Sequence, residues 1–324
     1  MNFLKTIEKK AKQKPVKVVI CEGWDERCIE ATGIILKEKL ANIVLLGDPE
    51  TIKRAAKALK ADISGAEIVD YKHSGLKKEF IEKLVEVRKH KGMTKEEAHK
   101  LIEDENYFAC LYALCGYADA VAGSKICPTA ALMRPTLQIL REPGKLVSEV
   151  SIVSMKDKTY FMSDLSLNIQ PTTEDLVSIT MNAIDVVRIF EIEPKVALLS
   201  FSTKGSGGNT PQTELIREAV AIVKKNDKKV IIDGELQGDA AVNPYAAKRK
   251  CPDSPLKGEA NTLIFPDLTS SNITCQLLWQ FADLQFETTI LKGLQKPVAI
   301  LGRSTPTSAV RNMVAGLAMQ VNSK

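Results

Sequence analysis

Aromatic side chains make up only 5% of this 324-residue chain, which argues against a stacking platform for nucleic-acid bases. Histidine is scarcer still. The three present, His73, His90 and His99, lie in one Lys-rich region and are too few to build a zinc site. The seven cysteines are odd in number and irregularly spaced, with no CxxC pair. The nearest two, Cys110 and Cys115, fall on an apolar helical stretch, so reduced thiols packed as small hydrophobes are the simplest reading. No apolar run reaches the ~18 residues of a membrane span. The opening MNFLKTIEKKAKQK lacks the apolar core of a signal peptide. Neither sign of charge dominates: 45 Lys and Arg against 40 Asp and Glu leave +5, with no long like-charge run beyond Lys9–Lys14. These absences point to a cytoplasmic protein with no metal, no nucleic-acid partner and no membrane partner. The small basic excess suits an anionic small substrate, and a solvated surface explains it equally well.

What is present is alternation. Short apolar runs at Val16–Ile20, Asn42–Leu46, Ala66–Val69, Ala118–Ala122, Val147–Ser154, Lys195–Phe201, Lys229–Ile232, Asn261–Phe265 and Pro297–Leu301 read as strands. Several are continuously apolar, as expected of strands covered on both faces. Helical patterns separate them: Asp25–Lys39, Pro49–Leu59, Leu76–Lys91, Lys95–Glu103, Thr129–Leu140, Thr173–Phe190, Pro211–Lys225, Asn272–Phe281 and Ser308–Gln320. The order predicts α/β architecture with mostly parallel, doubly wound sheets, and the length suits two domains. One segment breaks the rule: Val147–Met155, a turn at Lys156-Asp157-Lys158, and Thr159–Asp164 read as an antiparallel hairpin inserted in the second domain. There is no internal repeat and no low-complexity segment.

Ligands of doubly wound sheets gather at the carboxyl ends of strands. Four segments with suitable chemistry stand there. Ser202–Asn209 combines glycines, hydroxyls and Lys204 ahead of a helix, a weak anion-loop signal without Walker order. Asp233–Asp239 packs three carboxylates, Asp233, Glu235 and Asp239, into seven residues after a strand; they cap, pair with cations, or serve a reaction. Pro266–Asn272 offers hydroxyls and an amide that also suit helix capping. Gly302–Ser308 sets Arg303 among Ser304, Thr305, Thr307 and Ser308 at a helix start, a plausible oxyanion or phosphate clamp. Arg134 is a further candidate, with an ordinary surface arginine as its alternative.

Taken together, the residues resemble a known family. STKGS at Ser202–Ser206, DGELQ at Asp233–Gln237, LIFPDL at Leu263–Leu268, RKHKGMT at Arg88–Thr94, NYF at Asn106–Phe108, and the EG and ER pairs between Glu22 and Arg27 occur in order over nearly the whole chain. They mark it as similar to phosphate acetyltransferases of the phosphate acetyl/butyryl transferase family. The resemblance implies two α/β domains with a central cleft, similar to the isocitrate and isopropylmalate dehydrogenase fold. The first domain is then discontinuous, 1–142 with 290–324, and the second spans 143–289. It also implies a homodimer with no metal or redox cofactor, coenzyme A and phosphate being substrates. The reaction it implies is acetyl-CoA plus phosphate giving acetyl phosphate plus CoA, by direct attack in a ternary complex.

By the same resemblance Arg303 and Arg134 bind phosphate, with Arg88, Thr129, Lys204, Ser206, Asn272, Ser304 and Thr305 as substrate-binding candidates. Two departures stand out. Gly302 and Ala309 occupy the places of a family serine and of the aspartate held to deprotonate the CoA thiol. A general base is worth ~10²–10⁴-fold, whereas a free thiol of pKa ≈ 8.5 is a few per cent ionised unaided at neutral pH. The expectation is a slower enzyme rather than a dead one, unless Glu235, Asp233 or Asp239 supplies the base. An acetyltransferase, a propionyl or butyryl transferase, and a weakened family member with a binding or regulatory role all remain compatible with the sequence.

Overall fold

The computed structural model describes residues 3–155, 157–282, 284–303 and 305–323. The chain divides into two compact units, Met1–Lys145 with Leu294–Lys324, and Leu146–Gly293. The first begins with α1 (Phe3–Ala11), β1 (Lys17–Ile20), α2 (Glu26–Glu38), β2 (Asn42–Leu46), α3 (Pro49–Leu59) and β3 (Glu67–Val69). It continues with α4 (Lys77–Arg88), α5 (Lys95–Leu101), α6 (Glu105–Leu114), β4 (Ala120–Gly123) and α7 (Thr129–Pro135). The second unit holds β5 (Ser148–Met155), β6 (Lys158–Ser163), α8 (Thr173–Ile189), β7 (Lys195–Leu199), α9 (Pro211–Asn226) and β8 (Ile231–Leu236). After α10 (Gly238–Val242) and α11 (Pro244–Lys250) come β9 (Thr262–Ile264), α12 (Leu268–Phe281) and β10 (Gln285–Lys292). The chain then returns to the first unit with β11 (Val298–Ile300) and α13 (Thr307–Asn322).

In the first unit all five strands run parallel, in the order β11-β4-β1-β2-β3. The KVVI and NIVLL runs are buried almost throughout, as strands covered by helices on both faces must be. Local chemistry starts the helices. Asp48 accepts the Thr51 N–H at 2.8 Å ahead of Pro49, and Thr94 and Thr172 each close a capping box. An aromatic cluster packs here: Phe80, Phe108 and Tyr112 lie with ring centroids 5.0–6.3 Å apart. Pro135, which lacks an N–H, ends α7; the chain carries on as a π-helical turn over Thr136–Leu140 instead of the single helix expected.

The second sheet has the order β10-β5-β6-β9-β7-β8, and this unit differs from expectation in several places. The hairpin exists and is antiparallel, Ser151 facing Met162, with Lys156 of its turn outside the described residues. It is not an insertion: β6 pairs in parallel with β9, and β5 pairs with β10, so both strands belong to the main sheet. Strand β10 carries little sequence signal, because Gln285, Glu287, Thr288 and Thr289 dilute its apolar pattern. Strand β8 does not stop at Ile232 but runs on to Leu236, so Asp233, Gly234 and Glu235 lie in a buried strand and not in a turn. Helix α12 starts at Leu268 with Asp267 as its cap, which places Asn272 in its second turn. The unit boundary follows from the pairing, since β10 stays with β5 to Lys292, beyond the expected junction at 290.

Candidate active site: the strand ends of each unit

In the first unit β4 lies between β11 and β1, so the chain leaves three adjacent strands side by side at their carboxyl ends, where strand order reverses. Segments 21–25 and 124–128 meet there with residues 301–303 and 305–306. Glu22 is only 1% exposed and ties the first two together. Its Oε2 accepts the Lys125 N–H at 2.6 Å, and its Oε1 accepts those of Ile126 and Cys127 at 3.0 Å each. A buried carboxylate is tolerated when N–H groups satisfy it in this way. The Glu22 N–H in turn donates to Glu105 Oε2 at 3.1 Å. Burial, then the neighbouring Glu22 and Asp104, push the Glu105 carboxyl up to about 7.

The third segment is gripped by cations through its backbone. Lys125, 0% exposed, donates from Nζ to the carbonyls of Gly302 (2.9 Å), Arg303 (3.3 Å) and Thr305 (2.6 Å). Arg27, held in two places by Asp25, adds a bond from Nη1 to the Arg303 carbonyl at 2.7 Å. With its carbonyl so fixed, Arg303 keeps its side chain exposed and without a partner among the described residues. Thr305 contributes a backbone carbonyl to this turn, and Ser304 lies outside the described residues.

Arg134 is exposed near the end of α7, whose first residue is the exposed Thr129. Arg88 ends α4, and its Nε is buried without a partner among the described residues. Burial raises the Tyr107 phenol while Arg134 and Arg88 oppose the rise, so both guanidiniums lie within electrostatic reach of that one ring.

The strand ends of the second unit look alike and work differently. Glu235, 0% exposed on β8, accepts from Ser202 Oγ at 3.1 Å, Gly205 N at 2.7 Å and Arg217 Nη1 at 3.5 Å, all on Oε1. It shapes the Ser202–Asn209 loop. Burial and loop bonds occupy the carboxylate that the sequence offered as a possible substitute base. Lys204, at φ 49°, gives its ammonium to Asp233. Ser206 is likewise engaged, its Oγ accepting the Thr203 N–H at 2.9 Å. Gly207 lies under the exposed Phe201 ring, which would have to swing away from a Cβ placed 2.5 Å from it. Asp239 pairs with Lys250 at 2.7 Å. The Asn272 amide faces the Leu165 carbonyl at 3.4 Å. Beside the loop, a cavity of about 520 Å³ is lined by Met155, Tyr160, Leu199, Phe201, Leu263 and Leu278.

The structure thus groups Arg303, Thr305, Arg134, Arg88 and Thr129 in the first unit, and Glu235, Lys204, Ser206 and Asn272 in the second. Sequence reasoning missed Lys125, Arg27 and Glu105. Arg27 was visible as part of the opening EG and ER pairs, but Lys125 has no local signal, since its partners lie 177 to 180 residues away. Among the described residues no three His, Cys, Asp or Glu side chains converge as a metal site. No helix among the described residues is long and apolar enough to cross a membrane. Burial pushes the thiols upward, Cys127 to about 11 and Cys110 to about 12, which keeps them protonated and poorly nucleophilic near neutrality.

The parallel strand ends of the first unit carry the exposed side chain of Arg303, chemistry that suits an anionic ligand, and comparison makes the class specific. The profile described as phosphate acetyl/butaryl transferase matches residues 2–318, and the chain belongs to that family. It is 36% identical over 322 residues to the phosphate acetyltransferase of Bacillus subtilis (strain 168), covering 98% of this chain and 99% of that one. The phosphate acetyltransferase of Thermoanaerobacterium thermosaccharolyticum is 37% identical, with 99% of each chain covered. A solved phosphotransacetylase from Streptococcus pyogenes superposes with a TM-score of 0.93 at 35% identity, covering 99% of this chain and 98% of its own.

Proposed function

We propose that this chain is a phosphate acetyltransferase that exchanges an acetyl group between coenzyme A and inorganic phosphate. The observation that carries the reading is the Arg303 turn, whose backbone is pinned by Lys125 and Arg27 while its side chain is exposed and has no partner among the described residues. Written towards acetyl-CoA, the CoA sulfur attacks the carbonyl carbon of acetyl phosphate. A C–S bond forms, the bond between the carbonyl carbon and the bridging oxygen breaks, and phosphate leaves with that oxygen and the electron pair. The thiol proton passes to water. Charge develops on the phosphate and on the carbonyl oxygen, so fixed guanidinium groups do most to lower the barrier. Arg303 carries the phosphate, with Arg134 and Arg88 beside Tyr107 as further anion ligands.

Glu235 is a poor candidate for the proton, because burial and its loop bonds occupy it. The reading therefore has CoA ionise without a dedicated base, Ala309 standing where the family aspartate is expected. It also includes a homodimer in the cytoplasm that needs no cofactor. The test is thioester formation from acetyl phosphate and CoA by EDTA-treated protein, with propionyl and butyryl phosphate alongside. Turnover with the acetyl compound supports the reading, while protein that turns over only the longer acyl phosphates, or none, refutes it.

A further inference from the structure

Lys125 is completely buried yet carries an ammonium group, which is costly unless every proton finds an acceptor. All three find one. The acceptors are neutral backbone carbonyls, of Gly302 at 2.9 Å, Arg303 at 3.3 Å and Thr305 at 2.6 Å, within one turn between β11 and α13. No carboxylate contacts the nitrogen among the described residues. Oxygen atoms closing at such distances around one positive centre are what a desolvated monovalent cation requires. The cation is itself anchored, since the Lys125 N–H is bound by Glu22 at 2.6 Å. Burial and nearby Arg27 draw its pKa down, but a nitrogen surrounded only by acceptors stays protonated.

We propose that Lys125 is the positioning residue of the Arg303 turn, its ammonium acting as a tethered monovalent cation around which three backbone carbonyls fold. This rests on the reading of Arg303 as the phosphate ligand. Lys125 itself touches no substrate. It sets where the Arg303 Cα sits, and a shift of ~1 Å at such a place can cost ~10²-fold in rate. Arg27 grips the same carbonyl of Arg303 from a more open position.

The test uses the full chain in buffers free of ammonium and potassium. Lys125→Ala is expected to lower kcat/KM for acetyl phosphate by ~10²-fold, and ammonium or methylammonium should restore much of it by entering the vacated space. Tetramethylammonium, with no N–H to donate, should not, and wild type should ignore all three. In an Arg303→Ala background, Lys125→Ala should add little, because residues acting through one group are not additive. Amide hydrogen exchange gives a readout that needs no turnover: Lys125→Ala should speed exchange across 301–307 specifically, and ammonium should slow it again. If wild type has no acetyl phosphate activity, the functional reading fails while the exchange experiment still judges Lys125. Should Lys125→Ala not fold, Lys125→Met, which keeps the stem but not the charge, carries the exchange measurement. Wild-type kcat/KM with unchanged exchange in the turn would overturn the proposal. So would a loss that no ammonium ion relieves, or one fully additive with Arg303→Ala.

Discussion

Glu22 in the first unit and Glu235 in the second are both buried at the carboxyl ends of parallel strands, and the two are satisfied to different degrees. Glu22 uses both oxygens to hold three backbone N–H groups. Glu235 crowds its bonds onto Oε1, and its Oε2 is buried without a partner among the described residues. The cations differ in the same sense. In the first unit Lys125 is spent on carbonyls, which leaves the guanidinium of Arg303 for a ligand. In the second unit Lys204, Arg217 and Lys250 are spent on Asp233, Glu235 and Asp239. The glycine-rich loop there resembles a phosphate loop in composition, yet it is neutralised by its own acids. On the proposed reading, the positive charge meant for a ligand is that of Arg303 in the first unit.

The largest expected effect follows directly. Arg303→Ala should cut turnover by ~10²-fold or more, as loss of an oxyanion donor does; near-normal turnover would remove Arg303 from the site. Next is the missing base. If CoA ionises unaided, the rate should climb with pH towards the thiol pKa of ≈ 8.5. Ala309→Asp should then raise turnover at neutral pH, by less than the ~10²–10⁴-fold of a well-placed base, because Gly302 offers no supporting hydroxyl. An unchanged or lower rate in that variant, with Glu235→Gln inactive but folded, would give the proton to Glu235 after all.

The two glutamates can be set against each other in stability. Glu22→Gln turns an amide donor towards a backbone N–H and should cost roughly 1–3 kcal/mol. Glu235→Gln can keep its oxygen on Ser202 and Gly205 and point the amide to the unpartnered side, so its melting temperature should fall less. Equal losses would mean that the difference in satisfaction has no energetic weight.

How much of this was legible depended on how local each signal is. The alternation of apolar strands and capped helices is written in neighbouring residues, so Asn42–Leu46 and Pro49–Leu59 were recognised at their observed limits. Arg303 was legible because an arginine among hydroxyls at a strand–helix junction is a local pattern. Asp233-Gly234-Glu235 reads as a turn from composition. It is a strand because Lys204, Ser202 and Gly205, about thirty residues earlier, satisfy its acids. Lys125 was invisible for the same reason at longer range.

Smaller effects concern pH. Burial, first of all, raises Glu105 in one unit and Glu149 in the other to about 7 in the folded chain, above an unfolded value of ≈ 4.3. A carboxyl that binds its proton more tightly when folded stabilises at low pH and loses that contribution as pH rises from ~4.3 to 7. Melting curves of Glu105→Gln and Glu149→Gln should therefore gain on wild type across this window and run parallel above it. Curves parallel throughout would show that neither group is shifted. The smallest effect on ligand binding is expected from Lys204→Ala. It unpairs the buried Asp233 and should lower the melting temperature while leaving phosphate affinity nearly unchanged.

Calorimetric titration with inorganic phosphate of wild type, Arg303→Ala and Lys204→Ala puts the contrast between the units to the most direct test. Phosphate binding should be lost in Arg303→Ala and kept in Lys204→Ala; binding kept in the first and lost in the second would place the anion site in the other unit.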